Sequence, residues 1–401
     1  MTEHQYIPFN LPEIGDEEIR EVVEVLRSGW LTTGERTLRF EREFRAYCGA
    51  KHTLALSSGT AGLHLPLAAL GIGPGDEVIT TPLTFCATVA CIMHVGATPV
   101  LADVGPDGNI DPASVGRRIS SRTRAIMPVH LGGMPCCMNE IWTLARRHNL
   151  FVIEDAAHAA GTFYNGFHVG HQGASQSDAV AFSFYATKNM TTGEGGMVST
   201  NNDELMAKMK MLALHGISKD AWNRYAENGS WYYQVLAPGF KYNLSDLQSA
   251  LGIHQLARLE RFIATRARLA HLYTELLRDI DELELPSGCD YGRHSWHLYI
   301  LRLNLDKLTI DRDAFMRELR RRNIGASVHF IPIPLHPFFA PWAGLKRNRC
   351  PRALELYSRI ISLPLYPSLS EADLEYVASA VREIVASARK KKYLAAATPS
   401  E

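Results

Sequence analysis

The sequence predicts an α/β protein with a mostly parallel central sheet flanked by helices, followed by a smaller α+β lobe. Three observations carry this. Short β-branched runs alternate with helical patterns through the first half of the chain, the arrangement that βαβ crossovers produce. After about residue 255 the texture changes to a long charged helix, one further strand and another helix. Of the 401 residues, 46% are apolar, enough to bury a large core divided between two lobes.

The elements follow in order. "HTLALSS" is strand-like and runs into "GTAGLHLPLAALGI", a helix opened by Gly and Thr. "DEVITT", the helical "FCATVACIMHVG" and "TPVLADV" repeat the cycle, and "RAIMPVH", "NEIWTLARRHN", "LFVIEDA" and "DAVAFSF" continue it. This gives a large domain over 1–255. The helix "QLARLERFIATRARLAHLYTELLRDI", the strand-like "SWHLYILRL" and the helix "DRDAFMRELRRRN" form a small domain over 256–390, and 391–401 is a charged, then small-residue tail.

Composition excludes several classes. Lys plus Arg and Asp plus Glu both number 42, so nothing global points to nucleic acid or an anionic membrane as partner. The seven cysteines are odd in number and irregularly spaced, which fits reduced thiols in a cytoplasm better than a disulfide framework. "MTEHQYIPFN" has no apolar core of the signal-peptide kind, and the apolar stretch from Phe85 to Ala102 is broken by His94, Gly96 and Pro99. A cytoplasmic protein with no membrane insertion is expected.

In an open α/β sheet, ligands sit beyond the carboxyl ends of the strands. Four such places stand out. After "TLAL" come Gly59 and Thr60, where free N–H groups at a helix start suit a phosphate; capping by Ser58 or Thr60 would explain them equally well. After "LFVIE" comes Asp155, with His158 just beyond. After "DAVAF" come Ser183 and then Lys188, and after "VITT" comes Phe85. Singly, each has an ordinary reading as a cap, a core ring or a solvated amine. Together they supply a phosphate cradle, a stacking aromatic, an acid and an amine, which is what pyridoxal 5'-phosphate requires. The Thr/Gly/Glu patch "TTGEGG" after Lys188 then provides room for the cofactor and a turn that fixes the lysine.

With these residues in place, the chain resembles the DegT/DnrJ/EryC1/StrS sugar aminotransferases, a fold-type I family of pyridoxal phosphate enzymes. The resemblance covers nearly its whole length and is carried by "SGWLTTG", "SSGTAGLHL", "GDEVITTPLTF", "GATPVLADV", "VIEDAAHAAGT", "SFYATKNMTTGEGGMV", "PGFKYNLSDLQSALG", "GASVHFIPIPLH" and "SLPLYPSLS". Within the family it is most similar to the members that aminate UDP-4-ketopentose to UDP-4-amino-4-deoxy-L-arabinose for lipid A modification.

The resemblance implies roles residue by residue. Lys188 is the Schiff-base lysine and the proton shuttle, and Asp155 pairs with the pyridinium nitrogen. Phe85 stacks on one ring face, with Ala157 against the other. Gly59, Thr60 and Ser183 bind the phosphate, which Asn243 reaches from a neighbouring subunit, so a homodimer with shared active sites is expected. His158 stands where many relatives have Gln, beside the phenolic oxygen. His329 contacts substrate or cofactor, and Trp30 and Thr33 line the sugar or nucleotide pocket.

The implied reaction moves an amino group from L-glutamate to the 4-keto carbon of a nucleotide-linked sugar. Another UDP- or dTDP-linked keto-hexose, in surface-glycan or secondary-metabolite synthesis, is the alternative acceptor. A metal-dependent hydrolase built from Asp155, His158, His168 and His171 is a remote alternative resting on the spacing in "HVGH" alone. A dinucleotide-dependent dehydrogenase lacks the expected G-x-G-x-x-G after the first strand.

Overall fold

The computed structural model describes residues 5–217, 232–343 and 349–390; the tail over 391–401 lies outside them. The helices α1 (Asp16–Ser28) and α2 (Glu35–Cys48) lead into β1 (His52–Leu56) and α3 (Gly59–Ala69). The crossover pattern then runs β2 (Glu77–Thr80), α4 (Cys86–His94), β3 (Thr98–Leu101), α5 (Pro112–Arg118), β4 (Thr123–Met127), α6 (Met138–His148) and β5 (Phe151–Asp155). A small hairpin, β6 (Phe163–Tyr164) and β7 (Phe167–His168), precedes β8 (Ala179–Ser183), β9 (Gly196–Thr200) and α7 (Asp203–Ala213).

Seven of these strands form one sheet in the order β1-β9-β8-β5-β4-β2-β3. The pairs β2–β3, β2–β4, β4–β5 and β5–β8 are parallel, while β9 runs antiparallel to both β8 and β1. Side chains alternate across it as a pleat demands. Ala125, Met127, Ile153, Ala179 and Ala181 pack with residues of α3, α4 and α7. Their neighbours Ile126 and Val152 pack under α5 and α6, and Val180 and Phe182 under α2 and the next helix. Burial on both faces explains why these strands read as nearly continuous apolar runs.

That next helix, α8 (Asp246–Leu277), has 32 residues and is capped by Ser245, whose hydroxyl accepts from Gln248 N–H. It crosses the position where the sequence texture changes. Its first half, through Ile253, Leu256, Leu259 and Ile263, belongs to the core beneath the large sheet. Its second half, through Leu269, Ala270, Tyr273 and Leu277, belongs to the core of the small lobe. The charged run read as helix from the sequence starts at Gln255, whereas α8 starts at Asp246; the turns ahead of Gln255 are mostly small or apolar and packed into the first core, so no polar stripe marks them.

The small lobe continues with β10 (Leu283–Glu284), β11 (Gly292–Arg293), β12 (Tyr299–Leu303), α9 (Arg312–Arg321), the single-turn α10 (Ala340–Ala343), α11 (Pro351–Arg359), β13 (Ile360–Leu363) and α12 (Glu371–Ala388). Strands β10, β12 and β13 form an antiparallel sheet, and β11 joins the β6–β7 hairpin. Arg266, buried in α8, donates to the carbonyls of His297 at 3.3 Å and Leu365 at 2.7 Å. This ties α8 to the segments before β12 and after β13. Among the described residues no helix is long and apolar enough to cross a membrane.

Candidate active site

The strand ends meet in a cavity of about 500 Å³ between the large sheet, the small lobe and the N-terminal segment. Ser58, Gly59 and Thr60 border it at the start of α3. Ser58 Oγ accepts from Ala61 N–H at 3.0 Å, leaving other first-turn N–H groups without intrahelical acceptors. A Cβ on Gly59 would stand 2.8 Å from Ser183 Cβ. Glycine therefore lets the helix start close onto the end of β8, which brings Ser183 to the same wall.

Asp155 ends β5 and is buried. Its Oδ2 accepts from Thr88 Oγ1 at 2.8 Å and its Oδ1 from Ala157 N–H at 3.1 Å. Thr88 in turn bonds Thr84 Oγ1 at 2.8 Å, so a hydroxyl chain from α4 and the residue ahead of its N-cap supports the carboxylate. Loss of water raises the carboxyl above its usual range, while Thr88, the Ala157 N–H and Lys188 pull it back.

Lys188 lies in the cavity, where burial lowers its ammonium from 10.5 to about 8 against the attraction of Asp155. The following patch holds it by closing a loop on itself. Phe184 N–H donates to Gly195 O at 2.9 Å, Thr192 N–H to Phe184 O at 2.9 Å, and Thr191 Oγ1 to Phe184 O at 3.1 Å. Thr191 Oγ1 also accepts from Gly193 N–H at 2.9 Å, with Gly193 in the left-handed region at φ 76°. The threonines thus satisfy loop backbone and the glycine permits the turn.

Three imidazoles face the same space. His158 is buried, and its Nδ1 accepts from Gly132 N–H at 3.1 Å. Burial, then Lys188 and His329, drive it well below its ordinary value, so it is neutral with the proton on Nε2. His329, held through Nδ1 to Ser362 Oγ at 2.9 Å, is lowered to about 4 by burial and by Lys188. His297, which sequence reasoning missed, is also buried and lowered. Its Nδ1 bonds Asn189 Oδ1 at 3.2 Å, and its ring centroid lies 4.4 Å from that of His158.

Phe85, the N-cap of α4, borders the cavity and is 59% exposed, an uncovered ring beside a polar site. Phe330 stacks on His158 with centroids 5.6 Å apart; it and Phe9 also line the cavity without having been anticipated. Only the hydroxyl ladder left a local signal, the four-residue spacing of Thr84 and Thr88 at a helix start.

Trp30, Thr33 and Asn243 are not brought into this cavity by the chain's own fold. They form a separate cluster: Asn243 Nδ2 donates to Thr33 Oγ1 at 2.7 Å, and Trp30 Nε1 to Thr33 O at 3.1 Å. His168 and His171 do not join Asp155 and His158 either. His168 sits on β7, packed on Phe163 and Tyr47, and His171 packs on Phe167. Asn165 and Gly166, both at positive φ (50° and 84°), form the two-residue turn between β6 and β7, so His168 of "HVGH" lies on a hairpin strand and His171 beyond it. Among the described residues no group of three His, Cys, Asp or Glu could hold a metal ion.

The residues present fit pyridoxal phosphate. A glycine-permitted helix start with flanking hydroxyls suits the phosphate, a buried carboxylate suits a cationic ring nitrogen, a lysine of lowered basicity suits the carbonyl carbon, and the bare face of Phe85 suits a flat ring.

Comparison with known proteins agrees. Residues 12–382 match the model of the DegT/DnrJ/EryC1/StrS aminotransferase family. The chain is 50% identical over 384 residues to the spore coat polysaccharide biosynthesis protein SpsC of Bacillus subtilis, covering 95% of this chain and 98% of that protein. Among solved structures, the putative sugar aminotransferase Spr1654 of Streptococcus pneumoniae in its PLP form superposes with a TM-score of 0.87 at 31% identity, over 95% of this chain and 99% of that one. Helicobacter pylori PseC, an aminotransferase involved in pseudoaminic acid biosynthesis, superposes with a TM-score of 0.87 at 30% identity, over 96% and 100%. The cofactor is pyridoxal phosphate, the architecture is fold-type I, and the chain belongs to the DegT/DnrJ/EryC1/StrS family of sugar aminotransferases.

Proposed function

We propose that the enzyme moves the amino group of L-glutamate to the 4-keto carbon of a nucleotide-linked sugar, and that UDP-4-ketopentose is the acceptor to test first. The observation that carries this reading is the cavity itself: Lys188, the buried Asp155 and the exposed Glu194 are its charged side chains, and the rest of the wall is hydroxyls, uncharged imidazoles and aromatic rings, a lining suited to an uncharged sugar ring. A UDP- or dTDP-linked 4-keto-hexose is the second acceptor class. The 50% identity to a spore-coat polysaccharide protein favours a product destined for a surface glycan.

When bound, the cofactor supplies an electron sink that makes the proton on the amino-bearing carbon labile. The chain's residues do the rest. Lys188 Nζ, lowered to about 8, is populated as amine and ammonium near neutral pH. It takes the proton from Cα of glutamate in the first half and delivers one to C4 of the sugar in the second. Asp155, its oxygens fixed by Thr88 and Ala157, holds the pyridine nitrogen protonated. With the cofactor bound, His158 would donate through Nε2–H to the phenolic oxygen, Phe85 and Ala157 would hold the ring, and Gly59, Thr60 and Ser183 would take the phosphate. Among the described residues bordering the cavity, Lys188 is the one Lys or Arg. A second copy is proposed to complete the phosphate site through Asn243, with Trp30 and Thr33 beside it.

The test follows the absorption of the bound cofactor. L-glutamate should convert it to the amino form with release of 2-oxoglutarate. After gel filtration, UDP-4-ketopentose should restore the original spectrum and yield an amino sugar. Conversion by glutamate without restoration by the ketopentose would exclude that acceptor and turn the test to the keto-hexoses. A purified protein without the lysine-bound cofactor band would refute the role of Lys188.

A further inference from the structure

The segment ahead of α1 builds part of the cavity. Ile7 is buried in the small-lobe core and clamped through its backbone, its N–H donating to Asn323 O and its carbonyl accepting from Gly325 N–H, both at 2.8 Å. The two chains run so close that a Cβ on Gly325 would stand 2.8 Å from Phe9 N. Two residues past this clamp, Phe9 reaches the cavity wall and stacks on His329, with ring centroids 5.3 Å apart and planes inclined by 26°. His329 is anchored in turn to Ser362 on β13. The phenyl ring is therefore held from its own backbone and by the imidazole it stacks on.

The two substrates use such a wall differently. L-glutamate is flexible and carries two carboxylates, and it gains little from an uncharged aromatic face. A pyranose presents C–H groups on the faces of its ring, and these pack on aromatic surfaces. The clamp also fixes Phe9 relative to the small lobe, while Lys188 belongs to the large lobe, so the ring sets a distance between the acceptor's body and the reacting amine.

We propose that Phe9 is a specificity-determining residue for the acceptor: its ring, backed by His329, is the wall against which the sugar ring of the nucleotide-linked substrate packs. This rests on the sugar acceptor proposed above. The test uses the full-length holoenzyme and the variants Phe9→Ala and Phe9→Tyr, following cofactor absorption in each half-reaction separately. UDP-4-ketopentose and a UDP-linked and a dTDP-linked 4-keto-hexose serve as acceptors.

For whichever acceptor the wild type uses, Phe9→Ala should lower kcat/KM of the acceptor half about 10-fold or more beyond any loss in the glutamate half, mainly through KM. Phe9→Tyr, which keeps the ring, should recover most of it. Equal losses in the two halves would make the segment a structural clamp only and overturn the proposal, as would an unchanged acceptor KM. A wild type that glutamate converts but none of the three keto-sugars restores would overturn the acceptor reading, and this proposal with it. That outcome is visible before any variant is made.

Discussion

Thr88 Oγ1 donates a 2.8 Å hydrogen bond to Asp155 Oδ2, and Thr84 Oγ1 stands 2.8 Å behind it. The hydroxyl that steadies the carboxylate thus comes from α4, 67 residues away in sequence. Burial is the largest influence on Asp155 and raises its carboxyl, while Thr88 is the first group opposing it. Thr88→Val preserves shape and removes the donor. A hydrogen bond to a charged group contributes ~1.5–3 kcal/mol, so the glutamate half-reaction should slow about 10- to 100-fold with the circular dichroism spectrum unchanged. A wild-type rate would show that the ladder does not support the reacting carboxylate.

Lys188 gives a prediction in which stability and activity move oppositely. Its ammonium is lowered from 10.5 to about 8 by burial, so between those pH values the unfolded chain binds more protons than the folded one. Stability from this group therefore rises with pH across that window, and below pH 8 the full penalty is present. Lys188→Met should raise the Tm of the cofactor-free protein at pH 7, with the gain shrinking as pH climbs toward 10.5. The same variant should lose about 10²–10⁴-fold or more in transamination, the usual worth of an acid–base group. A lower Tm at pH 7 would contradict the burial account.

His158 should tolerate exchange for an amide. Its Nδ1 takes the Gly132 N–H and its ring is held neutral by burial, leaving one N–H to donate. Gln also presents an N–H, so His158→Gln should keep the rate within about 10-fold, whereas His158→Ala loses a charge-directed hydrogen bond and should fall further. Because His158 stays uncharged well below pH 6.5, the wild-type and Gln rate profiles should run parallel from pH 6 to 8. A titration in that range that disappears in the Gln variant would assign the charge change to His158.

Asn243 lies outside its own chain's cavity, bonded to Thr33 at 2.7 Å, and subunit mixing tests whether it serves another. Lys188→Ala and Asn243→Ala, each impaired alone, should regain about a quarter of wild-type activity after statistical subunit exchange if the two residues of one site come from different chains. Within-chain action would give mixed dimers with two defective sites and no recovery.

What the sequence by itself determined is what local chain chemistry expresses. Asp155, Ser183, Phe85 and Gly59 each come after a short apolar, β-branched run, and a parallel sheet gathers strand ends at one edge. By that logic they belong, with Lys188, around one cavity, and they line it. The spacing in "HVGH" supports only a remote alternative, and Asn165 and Gly166 reverse the chain and put His168 on a hairpin strand away from Asp155 and His158. The start of α8 was hidden because burial in the first core removes the polar stripe that marks a helix. Tertiary structure alone decided that Thr88 supports Asp155, that His297 and Phe330 flank His158, and that Phe9 backs onto His329. Those contacts join residues far apart in the chain, or an N-terminal segment to the opposite lobe. Thr88 reaches Asp155 because α4 packs on the same sheet face as β5, and the other contacts exist because the small lobe sits against the strand ends; neither relation leaves a local pattern in the chain.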